Sequence, residues 1–148
     1  MSECSGARKG PVLVQVCALH HLRSRVIFDT ILFMIGRTKK LRARFYQTAS
    51  GRKPVREWLL EIDEADRRII GYDVQTVEFG WPIGMPVCRP LGSGLWEIRS
   101  NLSRGTIGRI IFCIRHDEMV LLHGFVKKTH KTPPQDIELA IKRRNELE

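Results

Sequence analysis

The sequence predicts an α+β fold, built from a helical hairpin, an antiparallel sheet and a C-terminal helix in the order β-α-α-β-β-β-α. Three observations carry it. Apolar residues between Val55 and Val77 recur at helical spacing, those between Leu95 and Lys127 alternate with a period of two, and Thr132-Pro133-Pro134 opens a last helical segment. At 148 residues the chain has room for one domain with a substantial core. An apolar fraction of 43% with 28% charged residues is that of a folded globular protein.

Arg42 to Gln47 reads as a first strand, followed by a turn at Ser50-Gly51. Pro54 suits a first helical turn, and Val55, Trp58, Leu59 and Ile62 then share one helix face. Asp63 is placed to cap a second helix from Glu64, lined by Ile69, Ile70, Val74 and Val77 and closed by Gly80-Trp81-Pro82. The Pro/Gly-rich stretch 80–94 reads as a connection. Leu95 to Arg99, Gly108 to Ile114 and Met119 to Lys127 form an expected three-stranded meander, covered by helices on one side. Thr132 with Gln135 resembles a capping box, with proline at the first position of a helix through Leu147.

Residues 1–40 show no sustained period and read as an extension of doubtful order, with Met34 as an alternative start; the expected domain is 41–148. Val26 to Ile35 contains Asp29 and is too short to span a membrane, so no membrane partner and a cytoplasmic location are expected.

The net charge of +9 is unevenly spread. Residues 1–53 hold eleven Lys and Arg against two acids, while 54–148 are balanced at fourteen each. Within the balanced part, 54–78 carry three bases and seven acids, and 99–131 carry seven bases and two acids. A helical hairpin with an acidic outside and a basic sheet follow. A clustered positive surface attracts polyanions by neutralising phosphates, which makes nucleic acid the leading partner class. Cys4, Cys17, Cys88 and Cys113 include no CxxC pair, the acids do not cluster among the basic strands, and Gly92-Ser93-Gly94 precedes a strand rather than a helix. No metal site and no phosphate loop is expected.

Strand alternation directs Trp96, Ile98, Ile110, Phe112 and Ile114 into the core and turns Glu97, Arg99 and Arg109 outward. Pairing around the 101–107 loop, which carries Arg104, makes Arg99 and Arg109 direct neighbours. Two like charges facing each other are unfavourable unless an anion lies between them, or unless each binds a carboxylate such as Glu97. The third strand ends in Lys127-Lys128-Thr129-His130-Lys131, the densest basic cluster of the domain. Cleaving RNA requires cations around the scissile phosphate and an acceptor for the 2′-OH proton. His123 and His130 have suitable ordinary pKa values, although packing or surface roles suit either one better.

Four stretches together resemble the phage-derived, HigB-type branch of the RelE/ParE toxin superfamily. They are Phe45-Tyr46 with Pro54 to Leu59, Thr76 to Pro82 with Gly84-Met85-Pro86, Leu95 to Arg99, and Leu121 to Phe125 with Lys127-Lys128 and Lys131-Thr132-Pro133. The resemblance implies a microbial-ribonuclease-like fold and a toxin of a type II toxin-antitoxin pair. It further implies cleavage of mRNA in the ribosomal A site, no cofactor, and inhibition by a helix-turn-helix antitoxin. Carried over by position, Arg99 and Arg109 bind phosphate, and Lys127 and Lys128 stabilise the transition state or transfer a proton. Lys131 contacts the RNA backbone by the same carry-over, while His130, which stands where the resemblance implies a different polar residue, and Arg104 are further RNA-binding candidates. The alternatives are a ParE-like inhibitor of DNA gyrase and a nucleic-acid-binding module without catalysis. Fold alone does not separate these. The acidic hairpin, with Glu61, Glu64 and Asp66, reads as a solvated face, with an antitoxin dock as the other reading.

Overall fold

The computed structural model describes residues 38–127 and 131–147; the extension up to residue 37, Met34 included, lies outside them. Strand β1 (Arg42–Phe45) leads into helices α1 (Pro54–Glu61) and α2 (Glu64–Gly80). Strands β2 (Cys88–Gly92), β3 (Leu95–Asn101), β4 (Ile107–Arg115) and β5 (Glu118–Lys127) follow, and helix α3 (Pro134–Asn145) completes the domain. The fold is α+β, and the hairpin, the meander and the last helix occupy the expected positions. The Asp63 carboxylate caps α2 by accepting from the Ala65 amide, and Pro133 and Pro134 start α3.

Three features of the architecture depart from expectation. First, the 80–94 connection contains β2, so the order is β-α-α-β-β-β-β-α. Pro90 concealed this strand, because proline cannot donate to a ladder and is tolerated chiefly at sheet edges. β2 is such an edge: among the described residues it pairs with β3 alone, its register shifts between Pro90 and Gly92, and Ser93 and Gly94 make a tight hairpin with positive φ at both. Second, the sheet is mixed rather than antiparallel. Its order is β1-β5-β4-β3-β2, and β1 runs parallel to β5, which the crossover through α1 and α2 permits.

Third, helices cover both faces of the sheet. α1 and α2 pack Val55, Ile70 and Val77 against Ile98, Ile110, Phe112 and Leu121 on one face. α3 packs Ala140, with Ile137 and Ile141 beside it, against Leu95, Ile111, Cys113 and Leu122 on the other. Each Val, Ile, Leu or Phe side chain taken fully from water here contributes about 1.5–3 kcal/mol, so both layers add to the stability of the domain. Glu78, buried at the end of α2, ties down β1 by accepting from the Ala43 amide and from Lys39 Nζ at 2.9 Å.

Trp58 of α1 lies directly on the sheet over Gly124. A Cβ at Gly124 would approach the indole to 2.3 Å, so glycine is required for this close approach. Gly124→Ala is expected to lower the unfolding free energy by about 1–3 kcal/mol in urea titration. An unchanged midpoint would mean that Trp58 does not sit there.

Candidate functional site

Pairing of β3, β4 and β5 arranges the α3-side face of the sheet into cross-strand rows. Arg99 lies opposite Arg109, which lies opposite Phe125; one row outward come Asn101, Ile107 and Lys127; one row inward come Glu97, Ile111 and His123. The Arg99–Arg109 pairing is the one that the hairpin pattern predicts. Arg99 and Lys127 are half-buried, and among the described residues neither has a carboxylate partner. Arg104 in the β3–β4 loop and Lys131 before α3 are exposed. Lys128 and His130 lie outside the described residues.

Glu97 and Arg109 do not face solvent as strand alternation alone suggested. Both are fully buried, because α3 and the segment leading to it return over this face. Arg109 Nη1 donates to Glu97 Oε1 at 2.9 Å and to Thr132 Oγ1 at 2.6 Å, and the Thr132 hydroxyl donates to Glu97 Oε1 at 2.5 Å. Arg89, from β2, closes the cluster: its Nε donates to Glu97 Oε2 at 2.5 Å and its Nη2 to Thr132 Oγ1 at 2.8 Å. Thr132 therefore serves the buried carboxylate and makes no helix cap, contrary to the capping-box reading. Arg109 has taken the carboxylate alternative weighed above. Its position is one of support beneath the surface, beside the partly exposed Arg99.

A buried charge must be paired and hydrogen-bonded to be tolerated, and here one carboxylate meets two guanidinium groups. Three arginines and one glutamate leave this part of the sheet with a positive excess. Arg89 and Thr132 were both missed as site residues. The signal for Arg89 was hidden in a proline-bearing segment, and Thr132 was assigned to a local cap.

His123 is held between the sheet and α3. Its Nε2 lies 2.9 Å from Asp136 Oδ1, and Arg143 Nη1 lies 3.4 Å from its Nδ1 while also donating to the Leu122 carbonyl at 2.7 Å. With Arg143 donating to Nδ1, the neutral Nε2–H tautomer donates to Asp136. Both ring nitrogens are engaged, so the residue secures α3 and offers no free lone pair for a substrate proton. The ring stacks on Phe125 with centroids 5.4 Å apart, and Phe125 is half-buried opposite Arg109, two residues before Lys127 on the same strand.

The far side of the β3–β4 loop is held by α2. Asp66 accepts from the Ser103 amide at 2.8 Å and from its hydroxyl at 3.1 Å, while Asp73 accepts from Ser100 and burial pushes its carboxyl up from the usual value. Asp66 therefore positions the loop that carries Arg104. An open groove of about 500 Å³ on the outside of α2, lined by Arg68, Gly71, Tyr72 and Gln75, is no part of this site, and its one cation is paired with Glu64.

No cluster of three His, Cys, Asp or Glu side chains able to hold a metal occurs among the described residues, and none of their helices is long and apolar enough to cross a membrane. The thiols of Cys88 and Cys113 are buried in the two cores, and burial pushes that of Cys88 up to about 11, so neither is a reactive nucleophile.

The family model for phage-derived protein Gp49-like (DUF891) matches residues 57–145, from α1 to the last residue of α3. The chain belongs to this family. Gp49-like proteins are associated with toxins of toxin-antitoxin systems. Among curated proteins no match was found. The matched span of this Gp49-like protein contains every residue of the Glu97 cluster and the rows that carry Arg99 and Lys127.

Burial holds the pKa of His123 below its ordinary 6.5; Asp136 opposes the shift and Arg143 reinforces it. As pH falls, the unfolded chain therefore takes up this proton before the folded one. The contribution to stability is complete above about pH 6.5 and declines from there through the folded pKa. Urea titrations at about pH 7.5 and about pH 5.5 are expected to show a larger loss of stability on acidification for the wild type than for His123→Gln. Equal losses would place His123 in contact with solvent.

Proposed function

We propose that this Gp49-like protein is the toxin of a type II toxin-antitoxin pair and acts as an endoribonuclease on mRNA in the ribosomal A site. The observation that carries the reading is the row Arg99–Arg109–Phe125, with Lys127 beside it. It is a cationic, partly exposed strip next to an aromatic ring, on a face stiffened by a buried ion-pair cluster. In the proposed reaction the 2′-oxygen attacks the adjacent phosphorus and the bond to the 5′-oxygen breaks. A 2′,3′-cyclic phosphate forms, the 2′ proton passes to a base, and the leaving 5′-oxygen takes up a proton.

Arg99 binds the scissile phosphate, with Arg109 behind it adding positive charge from a fixed position. Lys127 and Lys128 stabilise the charge that grows on the phosphoryl oxygens or transfer a proton, and Lys131, His130 and Arg104 contact the RNA backbone. Phe125 offers a surface on which a base stacks. Fixed cations aimed at developing charge supply most of the stabilisation such chemistry needs. The proposed partners are the ribosome, its bound mRNA and a helix-turn-helix antitoxin. Charge neutralisation alone would give a binding module, whereas a rigid paired-arginine row with a neighbouring lysine suits a reaction that demands geometry.

Induced expression in bacteria is expected to arrest growth with codon-phased transcript cuts, and Arg99→Ala is expected to abolish both. Removing one preorganised charge contact should cost about 100-fold or more in cleavage rate. Arrest without cuts would instead favour a gyrase inhibitor, and RNA binding without arrest a non-catalytic module.

A further inference from the structure

We infer that Arg89 is a second phosphate-binding residue of this face, held in position by Glu97 and Thr132 so that it and Arg99 grip the RNA backbone together. The inference rests on the endoribonuclease reading and adds to it a residue from the edge strand β2.

The guanidinium of Arg89 is pinned at two of its three nitrogens. Nε is 2.5 Å from Glu97 Oε2 and Nη2 is 2.8 Å from Thr132 Oγ1, while Nη1 has no partner among the described residues. Both anchors are buried, at 0% and 4% exposure, yet the Arg89 side chain remains 30% exposed. The group is thus fixed from below and open above. Its strand partner is Glu97, and Arg99 lies two residues further along β3 on the same face. Diagonal neighbours of this kind stand about 7–8 Å apart, within reach of one phosphodiester for two long side chains.

Charge leads to the same place. Glu97 is shared between Arg89 and Arg109, so its single negative charge is divided between two guanidinium groups. Arg99, on the same face, has no carboxylate partner among the described residues. An arginine placed only to neutralise Glu97 would be superfluous, because Arg109 and Thr132 already satisfy Oε1 and a neutral donor would suffice for Oε2. A planar group with two atoms anchored and one edge free is suited to a phosphate, since little freedom is lost on binding.

The test is equilibrium binding of a fluorescein-labelled single-stranded RNA to the full chain across a salt series, beside cleavage in a purified translation system. For single-stranded RNA each lost phosphate contact lowers the slope of log affinity against log salt by about 0.7, which is the expected change for Arg89→Gln. A second variant, Arg89→Met, removes the same charge without supplying a polar group of its own, and in it Arg109 and Thr132 still hold Glu97. It is expected to show the same lowered slope, and Arg68→Gln on the outside of α2 the wild-type one. A wild-type slope in either Arg89 variant, or no RNA binding by the wild type at low salt, overturns the assignment. Absence of cleavage by the wild type instead removes the endoribonuclease reading on which it rests.

Discussion

Burial of the Glu97 carboxylate is the constraint from which the arrangement of the sheet's basic face follows. An ionised carboxylate taken from water costs several kcal/mol even after relaxation, and only close, well-oriented donors offset it. Glu97 obtains them from three elements: Arg89 on β2, Arg109 on β4, and Thr132 ahead of α3. The edge strand, the central strand and the segment leading to α3 are thereby locked to a single atom group on β3. Without that lock, two arginines facing each other across β3 and β4 would repel. With it, Arg109 sits in the interior as fixed positive charge and Arg99 stands partly exposed above the same row.

The same lock links fold to chemistry through α3. This helix covers the lower rows of the face with Ile137, Ala140 and Ile141, and His123 with Asp136 fastens its first turn to β5. The upper rows, with Arg99, Phe125 and Lys127, are left partly open. On the opposite face α1 and α2 seal the main core, and Trp58 is seated on Gly124 in the strand that carries Phe125 and Lys127. Asp66 and Asp73 of α2 fix the end of β3 and the loop bearing Arg104. Part of the acidity of the hairpin is therefore committed to holding this loop, which narrows the acidic surface left for an antitoxin.

Much of this was legible in the amino-acid order. Helical spacing from Val55 to Val77 and the two-residue period from Leu95 to Lys127 are local signals, and they located both helices of the hairpin, the three central strands and the Arg99–Arg109 pairing. What escaped was set by tertiary context. Pro90 argues against a strand unless that strand is known to be an edge, and edge status depends on the pairing of the other four. Glu97 alternates with core residues and so reads as solvent-facing; only the return of α3 over that face buries it. Thr132 beside two prolines reads as a cap, yet its hydroxyl is drawn to a charge 35 residues away in sequence. Membership of the Gp49-like family agrees with the resemblance that the motifs carried, at the level of toxin-antitoxin association.

Glu97 and Arg109 act as one energetic unit beneath the site, and the decisive measurement is a double-mutant cycle on unfolding free energy with Glu97→Gln and Arg109→Met. Each single change is expected to destabilise strongly while the double variant recovers part of the loss, with a coupling of about 1.5–3 kcal/mol. Additivity within about 0.5 kcal/mol would mean that the two side chains are not coupled.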